Sequence, residues 1–227
     1  MTYTDNDITF YLVVYKDYDR ACWCLNRLRR HYPLARVVID VDGDADRRWM
    51  SLRKQFDVEL RYGKRLFLLK YGGALVSRML QHHATDPQNR RWFFRIDTDT
   101  DIRRRFAYLP PHDYFGHYYP WRNFVQGGCV GMTRNVCDRI LHSRCLENPE
   151  IATKPIIWQE RKETASGRVG RYGLVSLDWV LNWAMQQIGV VGKDFAEVRS
   201  TWKTPIPDDV DCAVAHPCKH IKVYRPI

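Results

Sequence analysis

Residues 91–102 read RWFFRIDTDTDI, an apolar, β-prone run that closes on three aspartates at alternate positions, Asp97, Asp99 and Asp101. On an extended chain alternate residues share a face, so the three carboxylates point the same way if strand geometry continues. Carboxylates that close repel one another unless a proton or a cation lies among them. Hard oxygen donors at a strand end suit a cation, provided that the rest of the chain supplies its other partners. The competing reading is a solvated acidic loop entry, balanced by Arg103, Arg104 and Arg105.

The elements that must position this triplet alternate regularly. Residues 8–15, ITFYLVVY, form a continuous apolar, β-branched run of strand length. A helical pattern follows, capped by Asp19, with Ala21, Cys24, Leu25 and Leu28 on one face and a stop before Pro33. ARVVIDVDGD is a second strand running into an Asp and Gly turn. Residues 46–55 read as a helix and 58–62 as a short strand; a helix from Leu69 or Gly73 to His83 then delivers the chain to the aspartates. Four β/α alternations predict an α/β fold with a Rossmann-like mixed, mostly parallel sheet flanked by helices. Ligands of such sheets bind beyond the carboxyl ends of the strands, where the aspartates sit.

Beyond Pro110 the segment PPHDYFGHYYPWRNFVQGGCVGMTR carries aromatics, prolines and a double glycine ahead of a helix that Thr133 or Asn135 caps. Residues 149–173 read as a polar loop, 174–188 as an amphipathic helix opened by Ser176 or Asp178, and a strand-like run ends at His216. No repeat and no clean linker divides the chain, so one domain is expected.

Composition bounds the function classes. With 227 residues, 45% of them hydrophobic and 27% charged, the chain is neither disordered nor membrane-embedded. It has no apolar run of membrane-spanning length, and MTYTDNDITF lacks a signal-peptide pattern, so a soluble, cytoplasmic protein is expected. The seven cysteines are then expected as thiols. Cys22 and Cys24 do not face each other on a helix, and Cys212, His216, Cys218 and His220 lack the paired spacing of a strong zinc motif. A net charge of +10 attracts anions, among them nucleic acid, phosphorylated metabolites, nucleotide sugars and acidic membrane surfaces.

WFFRIDTD, QGGCVGMTR, LVSLDWVLN and HPCK, taken in that order, resemble the metal-dependent glycosyltransferases of the GT-A fold. The resemblance implies a Mn2+ (or Mg2+) site with Asp99 as direct ligand, Asp97 near the ribose or the metal, and His216 completing the set. Asp101 leaves the register open by two residues. The resemblance also implies that Lys219 contacts the diphosphate, that Gln126, Gly127 and Gly128 line the acceptor and donor-sugar site, and that Asp178 serves as base or acceptor-binding acid. Tyr15, Lys16 and Asp17 stand where this fold holds the nucleotide, Tyr15 stacking on the base, with Arg20 and Asp42 as secondary candidates. Residues 1–105 are then the nucleotide-binding half and 106–227 the acceptor-binding half. The aromatic segment PHDYFGHYYPW and the loop 150–173 would shape the acceptor site.

The pattern departs from the family in two places. Ser176 and Leu177 stand where many members carry a second acid, and Cys218 and His220 flank Lys219 without the usual glycine. These departures leave open whether transfer inverts or retains configuration.

Two rivals remain. A haloacid dehalogenase-like phosphatase also ends a strand in Asp-x-Asp, but on the first strand and without an acid two residues later. A basic nucleic-acid-binding protein would use the charge and the aromatics, yet three aspartates at the ligand site repel a polyanion. The reading is therefore a UDP-sugar donor and a glycan, lipid-linked or protein acceptor. The basic surface leaves room for peripheral contact with an anionic membrane.

Overall fold

The computed structural model describes residues 2–66, 71–148, 177–201 and 204–217. Its first half alternates strand and helix: β1 (Ile8–Val14), α1 (Tyr18–His31), β2 (Arg36–Asp42), α2 (Trp49–Phe56), β3 (Glu59–Gly63), α3 (Gly72–Ala84) and β4 (Trp92–Ile96). Both β1 and β4 are buried at every position. Strands covered on both faces have no polar alternation, which is why these two read as continuous apolar runs. The second half adds β5 (Asp101–Ile102), β6 (Tyr114–Tyr119), β7 (Phe124–Thr133), α4 (Arg134–Ser143), α5 (Leu177–Gln187), β8 (Lys193–Asp194), β9 (Val198–Ser200) and β10 (Val214–His216).

The main sheet runs β3-β2-β1-β4-β7-β6-β8. β7 is antiparallel to both its neighbours, and every other pairing in the sheet is parallel. This is the mixed, mostly parallel α/β architecture that the alternation predicts. One face buries Leu25 and Leu28 of α1 and Trp49 of α2 against Phe10 and Phe94. The other buries Leu80 of α3, Val136 of α4 and Leu181 of α5 against Tyr11 and Phe93. Each such side chain contributes about 1.5–3 kcal/mol when fully buried.

The strand order reverses at the β1/β4 boundary: β1 leads outward to β2 and β3, and β4 leads the other way to β7. In doubly wound sheets such a reversal opens a crevice at the carboxyl ends of the strands. A second, small sheet, β5-β10-β9, contains the strand that follows β4 in sequence.

Three sequence expectations change here. The alternation through the aspartates stops, because a turn closes over 97–100 with the Thr100 N–H on the Asp97 carbonyl at 3.1 Å. Asp101 therefore belongs to the small sheet, opposite Ala215, and not to the face carrying Asp97 and Asp99. Asp17, not Asp19, occupies the cap position of α1, and Asp19 lies in the first turn. α2 starts at Trp49 instead of residue 46, since the Asp46 carboxylate accepts the Arg48 N–H at 2.9 Å and holds a turn. Residues 149–173, Ser176, Cys218, Lys219 and His220 lie outside the described residues.

Candidate metal centre

The switch-point crevice is lined from both sides. Tyr15, Lys16 and Asp17 follow the carboxyl end of β1. Lys16 adopts a left-handed backbone (φ 57°), held by its N–H on Asp44 Oδ2 at 3.0 Å. A non-glycine residue there costs about 1 kcal/mol, so the loop after β1 is fixed by its partners and not by local preference. Asp17 accepts the Tyr15 N–H at 2.9 Å and the Thr98 hydroxyl at 2.5 Å. It thereby ties the β1 loop to the turn that carries Asp97 and Asp99. Burial pushes the Asp17 carboxyl up, against the hydrogen bonds from Thr98 and Tyr15. The Arg65 guanidinium lies over the Tyr15 ring, and Asp42 is buried with Arg78 and the Leu66 N–H as partners.

At the end of β4, Asp97 and Asp99 face His216, which closes β10. His216 Nε2 stands 3.3 Å from Asp97 Oδ2 and 3.2 Å from Asp99 Oδ1. The three residues each offer a donor atom within 4.8 Å of the others, and they are the metal-ligating cluster found among the described residues. Ser200 Oγ lies 3.0 Å from His216 Nδ1, which leaves Nε2 directed at the carboxylates. Burial works to lower the His216 pKa, but hydrogen bonds to Asp97 and Asp99 outweigh it and push it up to about 9. The cluster thus recruits a positive charge, and two carboxylate oxygens with an imidazole nitrogen are a donor set that Mn2+ accepts. Cys212 is not part of it; its sulfur lies 3.7 Å from Arg103 Nη1.

Asp101 is elsewhere. It is buried and ion-paired to Arg27 and to Arg103, each at 3.2 Å. The turn splits the triplet into two carboxylates that reach the crevice and one that anchors the small sheet.

β7 supplies the floor. The Asp97 N–H donates to the Gly128 carbonyl at 3.0 Å, and the Thr100 hydroxyl donates to the same oxygen at 2.8 Å. A Cβ on Gly127 would sit 1.9 Å from the Asp178 carboxylate, and one on Gly128 would sit 2.0 Å from the His216 ring. The sequence reading gave that space to substrate. In the structure the first glycine admits Asp178 and the second admits His216. Gln126 is buried beside them, and its Oε1 has no hydrogen-bond partner among the described residues.

Asp178 opens α5 and faces this floor, paired with Arg95 Nη1 at 3.4 Å. Burial pushes its carboxyl up; Arg95 pulls it back, and Asp97 adds to the rise. Asn182, one turn on, bonds both the N–H and the carbonyl of Val125, at 2.8 and 3.0 Å, and pins the helix to β7.

Sequence reasoning missed Arg95. It is buried in β4, bonds the Gly127 carbonyl and the Asp97 carboxylate, and pairs with Asp178. The signal was present: a cation inside the apolar run WFFRI, two residues before Asp97 and so on its face. Asn182 and Ser200 carried no comparable signal, because their partners are distant in sequence.

No family profile matches the chain, and no curated protein does. Among solved structures, the mannosyltransferase PcManGT from Pyrobaculum calidifontis, in complex with GDP-Man and Mn2+, is similar over 59% of this chain at 14% identity, with a TM-score of 0.45. The match spans 46% of that protein, less than half of its length. At that level of likeness only the geometry above bears on function.

Proposed function

We propose that the chain is a metal-dependent glycosyltransferase that moves a sugar from a nucleotide-diphosphate sugar, taken as a UDP-sugar, to a glycan, lipid-linked or protein acceptor. The observation that carries the reading is the convergence of Asp97, Asp99 and His216 at the carboxyl end of β4, beside the switch point and within reach of Asp178.

In this reading Asp97, Asp99 and His216 hold Mn2+ or Mg2+, and the bound cation stabilises the charge that gathers on the diphosphate leaving group. Tyr15, Lys16 and Asp17 face the nucleotide from the β1 side. Arg95 holds Asp97 and Asp178 in fixed relation, so that the metal end and the acceptor end of the site keep one geometry. Asp178 then accepts the proton of the acceptor hydroxyl or orients that hydroxyl. Its burial, by raising the carboxyl, makes it the stronger base. Lys219 is assigned to the diphosphate as a point charge. Gln126 faces the sugar with an acceptor oxygen.

The test is calorimetric titration of UDP and of GDP, with and without Mn2+, into the wild type and Asp99→Asn. Binding of one nucleotide that needs Mn2+ and is lost in the variant supports the reading and names the base. Binding indifferent to metal, or none of either nucleotide, overturns it.

A further inference from the structure

The far edge of the main sheet carries a second feature, independent of the metal centre. Among the described residues β3 pairs with β2 on one side only and ends the sheet. Between this edge and the outer stripe of α2 runs a groove of about 900 Å3. Leu34, ahead of β2, Met50 on α2 and Tyr62 on β3 line it and are 73%, 53% and 54% exposed.

The charges in the groove are one-sided. Its floor is neutralised, Arg36 binding Glu59 through Nε and Nη2 at 3.0 and 2.6 Å and Arg90 binding Asp86 at 2.7 Å. Its rim carries Arg53, Lys54 and Arg61 against Asp57, and Arg61 pairs with Glu59. An open strand edge, apolar contacts and a cationic rim are together the elements of recognition by strand addition, where main-chain bonds give affinity and side chains give selectivity.

We propose that this groove docks an extended acidic segment of a partner protein, which adds a strand to β3 and places its carboxylates against Arg53, Lys54 and Arg61. Charge decides against the other occupants. A second copy brings a chain of net charge +10 against a cationic rim. The chain's own undescribed segments are not acidic: residues 149–176 hold three acids against five Lys and Arg, and 218–227 hold three Lys and Arg and no acidic side chain.

The experiment uses the full chain and two labelled, capped peptides, one alternating glutamate with valine and the other lysine with valine. Binding is read by fluorescence polarisation and located by amide hydrogen exchange. The wild type is expected to prefer the glutamate peptide by at least ~10-fold. Protection should rise at 59–63 and not over the sheet at large. The double variant Arg53→Glu/Arg61→Glu, altered only at exposed side chains, should reverse the preference. Tyr62→Ala should weaken both peptides without changing their order. Equal binding of the two peptides, protection outside the groove, or displacement of the glutamate peptide by a short single-stranded oligonucleotide at lower concentration would each overturn the proposal.

Discussion

Strands β2 and β4 flank β1, and each ends in aspartates, but the two sets are met by charge in different ways. At β2, Asp40 and Asp42 are 0% and 2% exposed. Asp40 accepts from the Tyr11 hydroxyl at 2.6 Å and from Arg78 Nε at 2.8 Å, and Arg78 Nη2 reaches Asp42 at 3.2 Å. Arg65 is also close, 3.8 Å from Asp42. Two buried acids meet two guanidinium groups, so the carboxylates and the cations are equal in number. At β4, the side chains of Asp97 and Asp99 are 30% and 29% exposed. Together with Asp178 they are three carboxylates against Arg95, and even a protonated His216 leaves one negative charge unmatched. Carboxylates that hold a fold are neutralised and sealed. Those at the switch point are under-neutralised and reachable, which is the condition for taking up a cation.

The largest effects should separate the two sets. Asp99→Asn should weaken Mn2+-dependent nucleotide binding by at least ~100-fold, since it removes a proposed ligand of the cation. It should leave unfolding stability within about 1 kcal/mol, because it relieves like-charge repulsion. Asp40→Ala should do the reverse, costing about 3 kcal/mol by leaving Arg78 with a lost partner in a buried site, with nucleotide binding retained. Urea unfolding and calorimetry on both variants check the pair. Equal losses of stability would erase the distinction.

Next in size is Gly128→Ala. Its Cβ would meet the His216 ring at 2.0 Å, so the ring must move away from Asp97 and Asp99. Overpacking of this kind costs about 1–3 kcal/mol, and Mn2+ affinity should fall with it. Gly127→Ala should cost similar stability but displace Asp178, so Mn2+ binding should survive while transfer is lost. A measurement in which both variants lose metal equally would show that the two glycines do not serve separate side chains.

The same contrast explains what was legible in the sequence. The sheet was readable because β1 and β4 are continuous apolar runs and the intervening helices show their buried stripe, with Leu25 and Leu28 as one instance. Asp97 and Asp99 were readable because they end such a run. Asp101 was not separable from them: whether the alternation continues depends on the turn at 97–100 and on pairing with β10, more than a hundred residues away. The glycine pair was visible as a need for space, but which groups fill that space is decided by α5 and β10. Arg95 was visible as a polar residue in an apolar strand. Its role was not, because Asp178 reaches it only through the tertiary fold. The groove at β3 was invisible, since Met50 and Tyr62 each look ordinary until α2 and β3 line one groove.

The smallest expected effect sharpens the comparison for a single residue type. His83 and His216 are both largely buried, yet burial pushes His83 down to about 3, with Arg134 adding to the fall, while two carboxylates push His216 up to about 9. His83 packs against Phe93 with a ring separation of 4.8 Å, and neither of its ring nitrogens has a hydrogen-bond partner among the described residues. It stays neutral in the fold and takes a proton only when unfolded, near pH 6.5. Between pH 6.5 and 3 the unfolded state therefore binds more protons, and stability falls as pH is lowered through that window. At pH 5 the penalty from His83 is about 2 kcal/mol. His83→Leu keeps the contact with Phe93 and has nothing to titrate, so going from pH 7 to pH 5 should lower its stability by about 2 kcal/mol less than it lowers the wild type's. Urea midpoints of both proteins at the two pH values decide the matter. A parallel loss in the two would mean that His83 finds a proton-stabilising partner in the fold, and that burial alone does not set the difference between the two histidines.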